Sequence, residues 1–169
     1  ASTRAEPRSF NRLVSRDLPT ELLTTRTQGR LVRINRATYE LEPWLAESWE
    51  SSADGRTHTL RLRPGVTWSD GTPFTSADVA FSFRAIYDSK AGSPLASGLR
   101  AGGQPLTVTT PDARTVVVQF PSPFGPGIAL LDNLHIVPKH KLEAALQAGT
   151  FAAAFSVATP PADLVALGP

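Results

Sequence analysis

The chain has 169 residues, of which 41% are hydrophobic and 19% are charged, and its formal net charge is +2. This length suffices for one ordinary domain with a buried core, and no apolar run approaches the ~20 residues that a membrane-spanning helix needs. The absence of cysteine excludes disulfides and thiolate metal sites but leaves the cellular compartment open. Because the sequence has neither a methionine nor a signal segment, we expect a processed or excised piece of a longer protein.

The charge is distributed unevenly along the chain. Residues 1–36 carry eight arginines against three acidic residues, whereas the remainder carries nine basic against twelve acidic residues. Arginine clusters can bind phosphates, but Phe10 is the only aromatic residue near these arginines. We therefore interpret them as solvated surface residues and expect no nucleic-acid partner.

The first predicted elements are a short helix and two extended pieces. The segment Thr20 to Thr27 is typical of a helix that is capped by its first residue and ends at Gly29. Alternation in Leu31 to Ile34 predicts a strand, and a second extended piece is expected near Tyr39 to Leu41.

Two hairpins are predicted in the middle of the chain. Ser48 to Ser51 should pair with Thr57 to Leu62 across an Asp54-Gly55 turn, with one face of this sheet buried. A second hairpin should join Leu106–Thr109 to Thr115–Phe120 around Pro111-Asp112.

Helices are predicted between and after these hairpins. Thr75 and Asp78 have the spacing of a capping box, with Asp in place of the usual Glu, and predict a helix that ends near Asp88. A short helix is expected over Ile128–Leu131 and a longer one over Lys139–Gln147. The tail from residue 158 has no periodic pattern and is interpreted as a connection.

Catalytic and metal-binding patterns are sparse. His58, His135 and His140 are far apart and lack carboxylates at metal-ligand spacing, so we expect no metal site and no cofactor. No nucleophile elbow, phosphate-binding loop or dinucleotide-binding glycine pattern follows a predicted strand. The acidic residues between Glu47 and Asp78 suit turns and helix caps. The sequence therefore does not predict an enzyme.

Three tryptophans lie within 25 residues, at Trp44, Trp49 and Trp68. They could stack on a ligand, but tryptophans around a hairpin more often build a small core. We favour one shared core, with ligand stacking as the alternative.

Several strings of uncommon residues resemble a known family. They are Leu-Ala-Glu-Ser-Trp at 45–49, Trp-Ser-Asp-Gly-Thr-Pro-Phe-Thr at 68–75, Glu-Pro-Arg-Ser-Phe-Asn at 6–11 and Val-Pro-Lys-His at 137–140. Their order and spelling are similar to the family 5 extracellular solute-binding proteins, the dipeptide and oligopeptide receptors of ABC importers.

This resemblance implies an α/β (mixed α+β) fold, the N-terminal part of a two-lobed periplasmic-binding-protein type II fold. Residues 1–41 would be edge segments of the ligand-binding first lobe, and residues 42–160 a mixed sheet-plus-helix subdomain of that lobe. Residues 161–169 would connect back to the first lobe. The rest of the first lobe and the second lobe would lie beyond this chain.

The resemblance also implies the ligand-binding residues. In relatives that bind peptides, the loop corresponding to Ser15, Arg16, Asp17 and Leu18 lines the cleft and pairs its backbone with an extended ligand. Leu95 stands where peptide-binding members place an aromatic residue near the cleft. Without the resemblance, Arg16 and Asp17 would be interpreted as an exposed loop pair forming a weak surface ion pair.

The function implied is the substrate-binding component of an ABC importer that captures peptides or similar small solutes outside the inner membrane. Its partners would be a peptide or other small solute and the membrane permease of the transporter, and the protein would be a monomer. Its location would be periplasmic or extracellular, with a lipid anchor left open. The alternative is a free-standing protein-interaction domain without a small-molecule ligand.

Overall fold

The structure, a computed structural model, describes residues 6–167. An antiparallel sheet contains four strands in the order Ala46–Ser51, Thr57–Leu62, Thr115–Gln119 and Thr107–Asp112, and the remaining strands form two separate pairs. This mixture of helices and strands confirms the predicted α/β (mixed α+β) class. Residues 1–5 of the predicted segment 1–41 and residues 168–169 of the predicted segment 161–169 lie outside the described residues. The elements are α1 (Leu18–Thr27), β1 (Val32–Ile34), β2 (Leu41–Pro43), β3 (Ala46–Ser51), β4 (Thr57–Leu62), α2 (Ser76–Tyr87), β5 (Arg100–Ala101), β6 (Gln104–Pro105), β7 (Thr107–Asp112), β8 (Thr115–Gln119), α3 (Lys139–Gln147) and 3₁₀ helices at Gly127–Asn133, Phe151–Ala153 and Pro161–Asp163.

Strands β3 and β4 pair across the predicted turn, with Ser51 opposite His58. Gly55 in its turn has φ +66°, a conformation that residues with a Cβ rarely adopt. Along β4, Leu60 and Leu62 are buried, because alternate side chains of a strand point to the same face. The prediction of one buried sheet face is therefore confirmed.

The second hairpin forms as predicted, but its turn lies further along the chain. Asp112 is still paired with Thr115, so the turn residues are Ala113 and Arg114 rather than Pro111 and Asp112. Pro111 lies in β7, where the strand register is irregular. An edge strand tolerates proline because its outer N–H groups need no ladder partner, and β7 is at the edge of the sheet.

Helix α2 begins with the predicted capping box. The backbone N–H of Thr75 donates to Asp78 Oδ2 at 2.9 Å, and the N–H of Lys139 donates to Asp78 Oδ1 at 3.0 Å. The N–H of Val137 donates to Ser82 Oγ at 3.0 Å. One carboxylate thus caps α2 and fixes the start of α3, which has the bounds that the sequence predicted.

Helix α1 begins two residues earlier than predicted, at Leu18. Its N-cap is Asp17, whose Oδ1 accepts a hydrogen bond from the N–H of Thr20 at 3.0 Å. The prediction of Thr20 as the cap was wrong, because its hydroxyl instead donates to the carbonyl of Ser9 at 2.9 Å. Pro19 fits the first turn because the N–H groups there have no partner within the helix.

Gly29 has a different role from the predicted helix end. A Cβ at this position would lie 2.7 Å from Leu45 Cδ1 and 2.9 Å from the carbonyl oxygen of Leu167, so only glycine fits. Its own carbonyl accepts from the N–H of Ile136 at 2.9 Å, and the N–H of Leu167 donates to the carbonyl of Thr27 at 2.7 Å. The segment after α1 is therefore held on both sides.

The three tryptophans contact one hydrophobic core, as predicted, but they do not form a small core of their own. Trp68 is buried and packs edge-on against Phe74, whereas Trp44 and Trp49 are only half-buried. Among residues 6–167, no ring pair joins two tryptophans. The main core instead runs through the whole described chain, from Leu13 to Leu167.

Candidate functional site

The four residues of the predicted ligand loop, Ser15 to Leu18, lie between a turn and the start of α1. Arg16 and Leu18 are exposed, whereas Ser15 and Asp17 are half-buried. We call this segment the 15–18 loop. Its side chains therefore alternate between solvent and the fold.

The backbone of the 15–18 loop has unpaired hydrogen-bonding groups. Within residues 6–167, the N–H groups of Ser15, Arg16 and Asp17 and the carbonyl of Arg16 make no hydrogen bond. Backbone groups of this kind are normally satisfied by protein, water or ligand. The loop can therefore offer both donors and an acceptor to an extended chain.

Asp17 holds the loop to the helix through its carboxylate. It accepts hydrogen bonds from Ser15 Oγ and from the N–H of Thr20, and its Oδ2 lies 2.8 Å from Thr20 Oγ1. Partial burial would raise the pKa of Asp17, but these hydrogen bonds outweigh it and lower the pKa to about 2. The side chain is therefore ionised at neutral pH and acts as a cap.

Arg12 anchors the other end of the loop. Its Nη1 donates to the carbonyl oxygen of Ser15 at 2.8 Å, and its Nη2 lies 3.3 Å from Glu21 Oε2 on α1. Burial lowers the pKa of this guanidinium, an effect that the Glu21 charge opposes. The sequence interpretation of the N-terminal arginines as solvated surface residues was therefore wrong for Arg12, which is almost fully buried.

The alternative interpretation of Arg16 and Asp17 as an ion pair does not match the structure. Among residues 6–167, the Arg16 side chain makes no hydrogen bond and no ion pair, whereas Asp17 is engaged by Ser15 and Thr20. The positive charge of Arg16 is thus exposed at the loop.

The second predicted site segment lies beside the first. Ser93 Oγ donates to the carbonyl of Leu13 at 2.5 Å, and the N–H of Leu95 bonds to Ser93 Oγ at 3.3 Å. Leu95 itself is 5% exposed and packs in the core, so its contact with a ligand remains a prediction. The structure brings together two segments 80 residues apart.

A polar cluster of Arg30, Asp132 and His135 lies next to the segment that follows α1. Arg30 Nη1 lies 3.1 Å from Asp132 Oδ1, and Arg30 Nε donates to His135 Nε2 at 3.3 Å. Burial lowers the pKa of His135 to about 3, with further lowering by the charges of Arg30 and Arg12. This imidazole is therefore neutral at physiological pH and serves as a hydrogen-bond acceptor. Sequence reasoning missed this cluster because its members are about 100 residues apart.

The other histidines have structural roles. His58 is buried, and its Nδ1 lies 2.8 Å from Ser51 Oγ on the neighbouring strand. His140 Nε2 lies 2.8 Å from Asp70 Oδ2. Within residues 6–167, no group of three or more His, Asp or Glu side chains could hold a metal ion, and no helix is long and apolar enough to cross a bilayer.

A family model and a search for similar proteins identify the same kind of protein. The bacterial extracellular solute-binding proteins, family 5 Middle, match residues 40–169. A probable ABC transporter-binding protein of Deinococcus radiodurans is 30% identical over 169 residues, which cover 96% of this chain and 28% of the relative. This chain thus spans less than a third of that relative.

Solved structures give the same result. The ABC transporter substrate-binding protein CtaP of Listeria monocytogenes superposes with a TM-score of 0.78 at 25% identity, covering 97% of this chain and 31% of that one. Haemophilus influenzae OppA in complex with the peptide RPPGFSPFR superposes with a TM-score of 0.71 at 29% identity, covering 83% and 30% of the two chains. The predicted periplasmic-binding-protein type II fold is confirmed by these neighbours. The chain belongs to family 5 of the bacterial extracellular solute-binding proteins.

Proposed function

We propose that this chain is the N-terminal part of the substrate-binding component of an ABC importer, which captures peptides or similar small solutes without changing them chemically. The observation that carries this proposal is the row of backbone N–H groups at Ser15, Arg16 and Asp17 that have no hydrogen-bond partner within residues 6–167. Family membership and the relatives named as transporter-binding and peptide-binding proteins support it.

Strand addition is the binding mode that this geometry suits. A peptide in extended conformation would donate to the carbonyl of Arg16 and accept from its N–H group, because both groups of one residue face the same edge of an extended chain. Side chains and water would set selectivity. Because Asp17 and Arg12 fix the loop at both ends, little ordering entropy would be lost on binding. The exposed Arg16 guanidinium would favour a ligand carboxylate nearby.

In this proposal the two lobes have different roles. Residues 1–41 contribute edge segments of the ligand-binding first lobe, residues 42–160 form its additional subdomain, and residues 161–169 lead back to it. A second lobe, carried by the longer protein, would close over the ligand by hinge bending. Leu95 would support the cleft from the core side, next to the loop that Ser93 fixes.

The protein would work as a monomer outside the inner membrane, in the periplasm or extracellular space, and deliver its ligand to the membrane permease. Capture and release of a solute need no catalytic chemistry. A lipid anchor upstream of residue 1 is compatible with this role.

Calorimetric titration of the longer protein with peptides of two to nine residues tests the proposal. We expect micromolar or tighter binding of at least one peptide class, and no turnover of any bound solute. The 169-residue chain alone should bind weakly or not at all, because an enclosing second lobe supplies much of the contact that small-ligand sites require. Absence of peptide or solute binding, with capture of a protein partner instead, would favour the interaction-domain alternative.

A further inference from the structure

The imidazole ring of His58 is buried against a segment that is rich in proline and glycine. His58 is 4% exposed and lies on the same face of β4 as the core residues Leu60 and Leu62. The chain passes close to its ring at Gly127, where a Cβ would lie 3.8 Å from His58 Cε1 and 3.9 Å from His58 Nε2. We call residues 121–127, which read Pro-Ser-Pro-Phe-Gly-Pro-Gly, the 121–127 segment.

Only one of the two ring nitrogens of His58 has a polar neighbour. Nδ1 lies 2.8 Å from Ser51 Oγ, whereas Nε2 is buried and has no hydrogen-bond partner within residues 6–167. An imidazolium carries an N–H group on both nitrogens. Uptake of a proton would therefore place a charged donor without an acceptor in the interior, which is costly.

The surroundings of the ring are aromatic and apolar. The ring of Phe120 meets that of His58 edge-on, with centroids 5.1 Å apart and an angle of 82° between the planes. Phe124, in the 121–127 segment, stacks on Phe120 with centroids 6.0 Å apart. These contacts hold the segment against the sheet, and they provide no acceptor for a second N–H group of His58.

The charged residues on the neighbouring elements do not neutralise an imidazolium at this position. Arg56 donates to the carbonyl oxygens of Phe120 and Pro121, and Asp54 accepts from Ser52 Oγ and from the N–H of Arg56. Strand β8 has no titratable residue. On the other elements in contact, Glu50 and Arg61 point to the opposite face of the sheet, and Asp132 pairs with Arg30 and Arg36.

Burial lowers the pKa of His58 below its ordinary value of 6.5, and a hydrogen bond with the backbone of Gly55 offsets only part of this effect. Below pH 6.5, an exposed imidazole takes up a proton that the buried ring resists. The buried arrangement therefore loses stability, relative to an arrangement with the ring exposed, as the pH falls below 6.5.

The 121–127 segment is the element around His58 that can move without breaking a strand ladder. Its three prolines have no N–H group, and among residues 6–167 the only hydrogen bond that its backbone N–H groups donate runs from Gly127 to the carbonyl of Phe124, within the segment itself. By contrast, β4 pairs with β3 on one side and with β8 on the other.

We propose that His58 is an acid-sensitive switch, in which uptake of a proton by the ring releases the 121–127 segment from the sheet. This inference goes beyond the proposed function and does not depend on it. The segment leads directly into the 3₁₀ helix Gly127–Asn133, whose Asp132 pairs with Arg30 and accepts from the N–H of Ile34. Release of the segment therefore loosens the attachment of that helix to the N-terminal part of the chain.

Thiol labelling of the longer protein at pH 7 and pH 5 tests this proposal. The 169 residues contain no cysteine, so Ile128→Cys places a probe directly after the segment, and Val79→Cys in α2 is the matched control, because both side chains are buried. The reagent is dithiodipyridine, and peptide mass spectrometry measures labelling at each position. Each rate is divided by the rate of the same cysteine in denaturant at the same pH, which removes the pH dependence of the thiol itself.

We expect the relative labelling rate at position 128 to rise by roughly fivefold or more from pH 7 to pH 5. A pKa of 6.5 for the exposed ring sets a ceiling of about 25-fold. The rate at position 79 should change by less than about twofold. His58→Gln and His58→Phe, neither of which can titrate, should each abolish the rise at position 128, whereas His140→Gln should preserve it. Two replacements of His58 are used so that one misfolded variant leaves the test intact.

An unchanged rate at position 128 between pH 7 and pH 5 would overturn the proposal. A rise that persists in both His58 variants, or that disappears in His140→Gln, would overturn it in favour of another titrating group. An equal rise at positions 128 and 79 would show general loosening of the fold in acid and would overturn it as well. A rise confined to position 128 and dependent on His58 would support the switch, whether or not the protein binds a peptide.

Discussion

The hydroxyl of Ser93 donates a hydrogen bond to the carbonyl oxygen of Leu13, 80 residues earlier in the chain. Both residues are buried, and Leu13 lies in the turn that leads into the 15–18 loop. This single bond joins the two segments that sequence reasoning selected as ligand-binding. The position of the loop therefore depends on a contact that is distant in sequence.

Changing Ser93→Ala should destabilise the chain. The buried carbonyl of Leu13 would lose its partner, which costs about 1–3 kcal/mol of unfolding free energy. Chemical denaturation measures this loss. The control is Ser89→Ala, because Ser89 is exposed, and its effect should stay within about 0.5 kcal/mol. Equal losses for the two variants would show that the Ser93 bond does not hold the loop.

Changing Asp17→Ala should remove the N-cap of α1 and lower the unfolding free energy by about 1 kcal/mol at neutral pH, whereas Asp17→Asn should keep most of the stability. The ordinary pKa of an aspartate is 3.8 and that of folded Asp17 is about 2. The stabilisation by the charged form is therefore present above pH 3.8 and lost as the pH falls through about 2. Thermal unfolding at pH 7 and pH 2 checks both points, and a gap between wild type and Asp17→Ala that is unchanged at pH 2 would contradict them.

Changing Arg16→Ala in the longer protein should weaken ligand binding and leave the melting temperature nearly unchanged. The guanidinium makes no hydrogen bond or ion pair within residues 6–167, so the fold does not depend on it. Arg8→Ala is the matched control, because Arg8 is also exposed but precedes the loop. Titration calorimetry and thermal unfolding give the two readouts. A parallel loss of affinity and stability would assign Arg16 to folding.

Replacing His135 should change how stability depends on pH. The ordinary pKa of histidine is 6.5 and that of buried His135 is about 3, so below pH 6.5 the unfolded chain takes up a proton that the folded chain does not. Stability therefore falls as the pH drops from 6.5 towards 3, with a slope of up to about 1.4 kcal/mol per pH unit. His135→Gln keeps an acceptor for Arg30 without titrating and should flatten this slope. Urea denaturation of the wild type and His135→Gln at pH 7, 6, 5 and 4 measures how the unfolding free energy depends on pH. Identical slopes for both proteins would refute the prediction.

Elements fixed by neighbouring residues were predictable from the sequence. The capping box of Thr75 and Asp78 and the glycine turn at Gly55 formed as expected, because each depends on contacts within a few residues. The helix after Pro138 also formed as expected, although Asp78, 61 residues earlier, holds its first N–H group. The second short strand is Leu41–Pro43 rather than Tyr39–Leu41, since Tyr39 adopts φ +60° in the preceding turn.

Features fixed by distant contacts were not predictable. Threonine often caps helices, but the hydroxyl of Thr20 donates to the carbonyl of Ser9, and Asp17 is the N-cap instead. Gly29 is required by the approach of Leu45 and Leu167, which no local pattern indicates. The 15–18 loop was predicted as a ligand site from the family resemblance alone. Only the folded structure shows that its backbone N–H groups at residues 15–17 have no partner within residues 6–167.

Amide hydrogen exchange at Ser15, Arg16 and Asp17 in the longer protein, with and without a bound peptide, tests the central claim most directly. The three N–H groups are unpaired within residues 6–167 and should exchange fast without ligand. If the loop adds a strand to the peptide, saturation should slow at least one of these amides tenfold or more. Full peptide binding with unchanged exchange at all three residues would show that the ligand contacts another surface and would contradict the account.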